Sequence, residues 1–472
     1  MTFINEYSFI HKYIRTVPAR ECRQLSNQAR ERGRNDRGEV VNSAIDTGQS
    51  PAPEVQGRFT AAFVLVTSLF FLWALAHNLN DILIKHFQTA LQLSRLQASF
   101  IQIAFYLAYF LFALPAGYVL QIFGHQRTLV VGLVLYGLGA VAFYPAAEVG
   151  RFTPFLAALM LIASGVVFLE IAAGAFMVLR GRPETAVFRI NLAQSFNGLG
   201  AVLAPILGGL FILSGPAATA AGAALAGPEL HRFRAIELHQ VQLPYLLIGA
   251  VAFAIAGAIA LVPFPAEPHV GTTEPVHYRK LIQTPLFTYA VLAQFCFVGA
   301  QVGTWSFFID FARDTVPRME NRDAAYLLSA SLLLFMVGRF SGSLWLRKIP
   351  GSSLLSGYAA GAGLAIVLAV CTHGYLSLGC LMAVSFFMSI MYPTIFALGL
   401  AAAGKNARMG AAIMVMAIVG GAIVPPIMGW LADHHGPRAA YLMLTICFGV
   451  VGAFALYARQ FSPALTDSCR VA

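Results

Sequence analysis

Long uncharged apolar runs alternate along this chain with short polar breaks. No Asp, Glu, Lys or Arg occurs between Arg95 and Arg127, between Lys280 and Asp310, or between Ile349 and Gly404. A hydrocarbon layer about 30 Å thick takes roughly 20 apolar residues per helix at 1.5 Å rise, and the runs have that length or a multiple of it. The pattern predicts twelve transmembrane helices, near 60–82, 95–121, 128–147, 153–179, 189–213, 242–263, 286–312, 323–346, 352–372, 377–400, 408–431 and 438–458. Barrel strands would alternate apolar and polar residues, which these runs do not. Helices also pair every backbone polar group within the segment, as hydrocarbon requires. The expected fold class is an all-α membrane protein of twelve transmembrane helices in two related six-helix bundles.

Two stretches depart from the pattern. Residues 1–57 are polar and Arg-rich with acids among them (Arg30, Glu31, Arg32, Arg34, Asp36, Arg37), end near Pro51 and Pro53, and contain no apolar core of a secretory signal. A disordered extension is expected there, or a segment upstream of the start used in the cell. Residues 264–285, where Pro265, Pro268, Pro275 and Pro285 surround Glu267, Glu274, Arg279 and Lys280, read as a cytoplasmic linker between bundles at 58–263 and 286–459; residues 460–472 form a tail.

The two halves resemble each other. Gly200 to Leu210 aligns without gaps on Gly421 to Leu431, an offset of 221, and Gly117 and Gly342 stand 225 apart at the ends of corresponding helices. Parallel repeats of this kind build transporters that rock around a midplane site. Chance similarity between two Gly/Pro-rich helices is the competing reading of either match alone. With both termini cytoplasmic, the inner loops carry ten Lys/Arg and the outer loops nine; Arg58 and Arg459, flanking the first and last spans, favour termini inside.

Composition agrees with the membrane reading: 58% of residues are apolar and 11% charged, with a mean hydropathy of +0.71, against roughly a quarter charged in soluble domains. The net charge of +10 raises a nucleic-acid partner, but 9 of the 31 basic residues lie in the first 58 positions and the others are spread over short loops, so none is expected. The lipid bilayer is the expected partner, and the chain is read as a monomer. Cys296, Cys371, Cys380 and Cys447 lie in apolar spans and read as small core residues, with a disulfide or metal role as the alternative. No metal-ligand cluster, nucleophile elbow or phosphate loop occurs, and Asp433-His434-His435 reads as a solvated loop, so no enzyme, metal or cofactor is expected.

Of the 14 carboxylates beyond the extension, Asp81, Glu170 and Asp310 fall within or at the edge of a span. Ionisable groups in hydrocarbon cost several kcal/mol and mark cavities and pathways. Glu170 lies well inside helix 4, where the alternative is an inert carboxyl buried between helices. Asp81 closes Asn78-Leu-Asn-Asp81 late in helix 1, with a solvated helix-end carboxylate as the alternative. A carboxyl group removed from water favours its neutral form, so small changes in access load or release a proton. Asp81 and Glu170 are therefore the candidate proton carriers. Asp310 reads as an interfacial residue, and His77 as structural.

Uncharged polar residues also line up. Asn191, Gln194 and Asn197 share one side of helix 5; Gln294, Gln301 and Trp305 share one side of helix 7. Amides beside an indole suit a neutral polyhydroxylated ligand, with packing bonds between helices as the competing use. Arg339, near the inner end of helix 8, is expected to snorkel to the cytoplasmic interface.

These residues resemble a known group. Gly117-Tyr-Val-Leu-Gln-Ile-Phe-Gly124-His-Gln-Arg127 is similar to the loop motif of the major facilitator superfamily, with Gln121 in place of its usual Asp. Asn78-Leu-Asn-Asp81, Glu170, Asn191-Leu-Ala-Gln-Ser-Phe-Asn197, the run Val291 to Gln301 and Met388-Ser-Ile-Met-Tyr-Pro-Thr-Ile-Phe396 resemble the fucose:proton symporter family, which also holds glucose/galactose permeases. The resemblance covers about 58–459. It implies a secondary active importer of a monosaccharide, L-fucose or a related hexose, driven by the proton gradient across the bacterial inner membrane. Asp81 would then be the coupling aspartate and Glu170 the glutamate of the sugar site, with Asn78, Gln194, Asn197 and Tyr392 lining the cavity. Where the family pattern reads Ala-Asn-Pro, this chain has Ala173-Gly174-Ala175, which leaves the sugar open.

Overall fold

The computed structural model describes residues 62–74, 95–180, 183–211, 242–262, 264, 281–316 and 319–468. All belong to one unit, Phe59–Ala472. The extension at 1–57, most of the linker, His77, and the candidate residues Asn78 and Asp81 lie outside the described residues.

The described residues form twelve helical segments in the predicted order. They are α1 (Ala62–Ala74), α2 and α3 (95–123 and 125–149), α4 (Phe152–Leu179), α5 (Ala186–Phe211), α6 (Gln242–Leu261), α7 (Pro285–Ser306 and Phe308–Thr315) and α8 (Asn321–Trp345). Then come α9 (Gly351–Cys371), α10 (Gly374–Met388 and Met391–Ala403), α11 (Ala407–Met416 and Gly420–His435) and α12 (Pro437–Ser468). The turn between α2 and α3 needs Gly124, whose φ of 77° lies in the left-handed region. α12 runs past its expected end near 458, because backbone hydrogen bonding does not stop where hydropathy falls.

Breaks within α7, α10 and α11 were not visible as interruptions of hydropathy. In α11 the two helices meet through a tight turn at Ala417–Val419, ahead of Pro425 and Pro426. Hydropathy records what surrounds a helix, not whether its hydrogen-bond ladder is continuous.

α4 is the most enclosed element: every residue from Ile162 to Val178 is buried. A helix buried around its whole circumference in this way has protein on all sides. A similar contact recurs in the two halves, one residue out of register with the pairing of Gly200 and Gly421. A Cβ on Gly200 of α5 would lie 2.6 Å from the Phe71 carbonyl oxygen of α1, and one on Gly420 of α11 would lie 2.1 Å from the Phe295 carbonyl oxygen of α7. Both halves therefore use a glycine to bring their fifth helix against the backbone of their first. The four cysteines of the described spans are free thiols.

The first six and last six helices meet through α2, α4 and α5 on one side and α8, α10 and α11 on the other. A Cβ on Gly117 would lie 2.5 Å from Cβ of Ala412, Arg408 Nη1 donates to the Gln121 carbonyl at 3.4 Å, and Arg347 lies over the Phe188 ring at 4.7 Å. Asn191 Nδ2 donates to Thr394 Oγ1 at 3.2 Å, and Tyr106 packs on Gly421. These contacts run from mid-helix to the end carrying residues 123, 186, 346 and 407. Among the described residues, the bundles are joined at that end.

Candidate functional site

A polar cluster at the middle of this interface begins with a defect in α10. Pro393 has no N–H, so the carbonyl of Ser389, four residues earlier, loses its helical donor. The helix is interrupted between Met388 and Met391. Arg339 of α8 fills the gap, its Nε donating to the Ser389 carbonyl at 3.2 Å. α8 comes this close because Gly338 carries no side chain: a Cβ there would lie 2.6 Å from Ser389 Oγ and 2.7 Å from the Phe386 carbonyl.

From that anchor Arg339 reaches into the other bundle. Its Nη1 donates to the Gln194 carbonyl at 2.5 Å, to Gln194 Oε1 at 3.1 Å and to Asn197 Oδ1 at 3.2 Å. Its guanidinium carbon stands 4.5 Å from the centroid of Phe335, a cation–π contact. Arg339 is 5% exposed and does not reach the interface expected for it. It lies six residues inside Trp345, about 9 Å along the helix, and finds carbonyl acceptors at that depth instead of snorkelling.

Glu170 is held at both oxygens. Tyr392 of α10 donates to Oε1 at 2.5 Å, across the bundle interface, and Tyr109 of α2 donates to Oε2 at 3.0 Å, within the first bundle. Arg339 lies close enough for its charge to act on Glu170 and Tyr392. Gln294 of α7 is fully buried with its amide beside the Tyr392 hydroxyl, but neither its oxygen nor its nitrogen makes a well-formed hydrogen bond among the described residues. Leaving such groups unpaired costs about 1–3 kcal/mol each, an arrangement that persists where a binding site needs it.

Of the residues expected from the sequence, Glu170, Gln194, Asn197, Gln294 and Tyr392 come together here. Asn197 also donates through Nδ2 to the Phe70 carbonyl of α1 at 3.2 Å. Gln301 is half-buried with no hydrogen bond among the described residues. The Trp305 indole N–H is already used, donating to Ser385 Oγ at 3.0 Å, and its ring stands edge-on to Phe335 at 5.1 Å, so only the ring can serve a ligand. Asn191 serves packing, bonded to Thr394 and to the Val187 carbonyl. Sequence reasoning missed Tyr109, which looks like any core aromatic of an apolar helix. It misplaced Arg339, although that side chain carries the one charge between Asp323 and Arg347.

Gly174, which stands where the family pattern has Asn, lies against α10. A Cβ there would lie 3.0 Å from the Phe396 ring. Glycine lets Phe396 press against α4, and Phe396 in turn stacks on Tyr392 at 6.4 Å and 10°.

Eight continuous helical stretches among the described residues are long and apolar enough to cross a membrane, and Ile103–Val149 and Gly374–His435 each hold two spans. Two bundles of such helices closing on a buried carboxylate, a guanidinium and several amides define a membrane transporter of the alternating-access class. The sequence pattern of the Major Facilitator Superfamily matches residues 59–425, and the chain belongs to that superfamily. It is 38% identical over 424 residues to the L-fucose-proton symporter of Escherichia coli (strain K12), covering 88% of this chain and 95% of that one. It is 36% identical over 412 residues to a glucose/galactose transporter of Brucella abortus, covering 85% and 95%. The crystal structure of FucP, a major facilitator superfamily transporter in the outward conformation, superimposes with a TM-score of 0.79 at 38% identity, covering 84% of this chain and 98% of that one.

Proposed function

We propose that the chain is a monomeric secondary active transporter of the bacterial inner membrane. It imports a monosaccharide, L-fucose or a related hexose such as galactose or glucose, together with protons, and has both termini in the cytoplasm. The observation that carries this reading is Glu170, a carboxylate on α4 bonded at once to its own bundle through Tyr109 and to the opposite bundle through Tyr392.

That geometry links a proton to a conformational change. A hydroxyl donating to an ionised carboxylate makes a bond roughly twice as strong as to a neutral acceptor. Protonating Glu170 therefore weakens the Tyr392 bond, which spans the bundles, and eases their separation at the joined end. With cytoplasmic termini that end is the inner one, and its opening releases substrate inward. Asp81, by its place in the family pattern, takes the proton from the outer side. Gln194, Asn197, Gln294, Gln301 and Tyr392, with Asn78, supply donors and acceptors to sugar hydroxyls, and the Trp305 ring supplies an apolar face. The proton gradient is the energy source and no cofactor is used.

Uptake of labelled L-fucose, galactose and glucose into proteoliposomes, with and without an inwardly directed proton gradient, tests this. At least one sugar should accumulate only with the gradient. Asp81→Asn should abolish accumulation and leave counterflow exchange. Uptake that ignores the gradient would reduce the protein to a uniporter, and absence of uptake for every sugar would end the sugar reading.

A further inference from the structure

The donors and acceptors around Arg339 do not balance. A guanidinium has five N–H groups. One, on Nε, serves the Ser389 carbonyl. The two on Nη1 are shared among three oxygens, the Gln194 carbonyl, Gln194 Oε1 and Asn197 Oδ1, and each of the two amide oxygens, with two lone pairs, keeps room for a further donor. The two on Nη2 donate to no described residue. Spare donors on one bundle thus stand beside spare acceptor capacity on the other, at the joint between them.

We propose that Arg339 is a substrate-recognition residue, whose Nη2 donates to a sugar hydroxyl while that hydroxyl, or its neighbour on the ring, donates to an amide oxygen of Gln194 or Asn197. This rests on the sugar reading above and extends it to a residue with a defined role.

The chemistry selects its ligand. A hydroxyl both donates and accepts, so one hydroxyl or a vicinal pair completes both sides of the imbalance. An ammonium group has only donors and would meet the guanidinium charge. A carboxylate has only acceptors, which would face the amide oxygens and Glu170. A neutral polyol satisfies every group. The fork is also held in place before binding, by the Ser389 carbonyl at one edge and the Phe335 ring 4.5 Å from its centre, so little entropy is lost when a hydroxyl arrives. A lysine would not substitute, since a single ammonium cannot serve Ser389, α5 and a ligand in one plane.

The test is binding of a transported sugar and its monodeoxy analogues, one hydroxyl removed at a time, to purified full-length protein, by calorimetry. In the wild type, one analogue should bind about 10- to 100-fold more weakly because it strands the Nη2 donors. In R339K the parent sugar should fall to the level of that analogue, while the penalties for the other hydroxyls stay unchanged. If R339K keeps the full penalty for every hydroxyl, or weakens all analogues alike, the proposal is wrong and Arg339 only holds the helices. A wild type that binds no sugar overturns the sugar reading and this inference with it. A second measurement needs no variant: replacing the recognised hydroxyl by fluorine, which accepts but cannot donate, should recover part of the binding lost in the deoxy analogue. Recovery at no position overturns the proposal.

Discussion

Tyr392→Phe removes one hydroxyl and leaves the ring that stacks on Phe396. The lost bond is the 2.5 Å donation to Glu170 Oε1, between two buried groups on opposite bundles. A hydrogen bond to an ionised group is worth about 1.5–3 kcal/mol. Because this bond can exist only while the bundles are joined, the whole amount bears on the equilibrium between states, shifting it by about 10- to 100-fold toward separation of that end. Tyr109→Phe deletes a bond to the same carboxylate, but within one bundle, and should leave the equilibrium nearly unchanged. Spin labels on the exposed positions Phe123 and Lys405, at the joined end, report the separation through pulsed electron resonance distances in nanodiscs. In a Glu170→Gln background the Tyr392→Phe effect should shrink, since the acceptor is then neutral. Equal distance distributions for wild type and Tyr392→Phe, or equal shifts from the two tyrosine variants, would refute the reasoning.

Three further outcomes are expected. Gly174→Asn should lower the melting temperature, by a loss of about 1–3 kcal/mol, because its Cβ meets the buried Phe396 ring at 3.0 Å; Phe396→Ala should cost less in that background than in the wild type, and equal costs would contradict the contact. Gly420→Ala should destabilise strongly, since its Cβ would lie 2.1 Å from a backbone oxygen, whereas Gly357→Ala, with nothing within 4 Å, should stabilise by about 0.5–1 kcal/mol; similar melting shifts for the two would contradict the packing described. Arg438 pairs with the part-exposed Asp314 at 3.4 Å and donates to the Val370 and Thr372 carbonyls at 3.2 Å each. Asp314→Asn should therefore cost under about 1 kcal/mol and Arg438→Ala more, in thermal unfolding, with uptake kinetics unchanged by either.

Much of the fold was readable beforehand. Uncharged runs placed the described ends of the spans to within a few residues, apart from the end of α12, which lies ten residues beyond 458, because hydrocarbon excludes charge from any segment that crosses it. Glu170 was readable for the same reason: an acid in the middle of Ser164 to Gly174 is too expensive to be incidental. The amides of α5 and α7 were readable as faces: Gln194 and Asn197 meet Arg339 and Gln294 adjoins Tyr392, whereas Asn191 serves packing and Gln301 makes no hydrogen bond among the described residues. The use of Arg339 was misjudged, and the bond made by the Trp305 N–H was not foreseen. An indole in a helix does not reveal that its N–H already has Ser385, and an arginine near a helix end looks like a snorkelling one until the neighbouring helices are seen.

Hydropathy and the cost of burying charge are properties of single segments, and so the sequence by itself determined the membrane class, the number of spans and the identity of the buried acid. Pairing is a property of two segments brought together. Tertiary structure alone decided that Tyr109 and Tyr392 share Glu170, that Phe396 occupies the space left by Gly174, and that the carbonyl released by Pro393 is met by Arg339. Each of these depends on which helices touch and at what height, and no periodicity in a single chain segment encodes the partner that another segment will present.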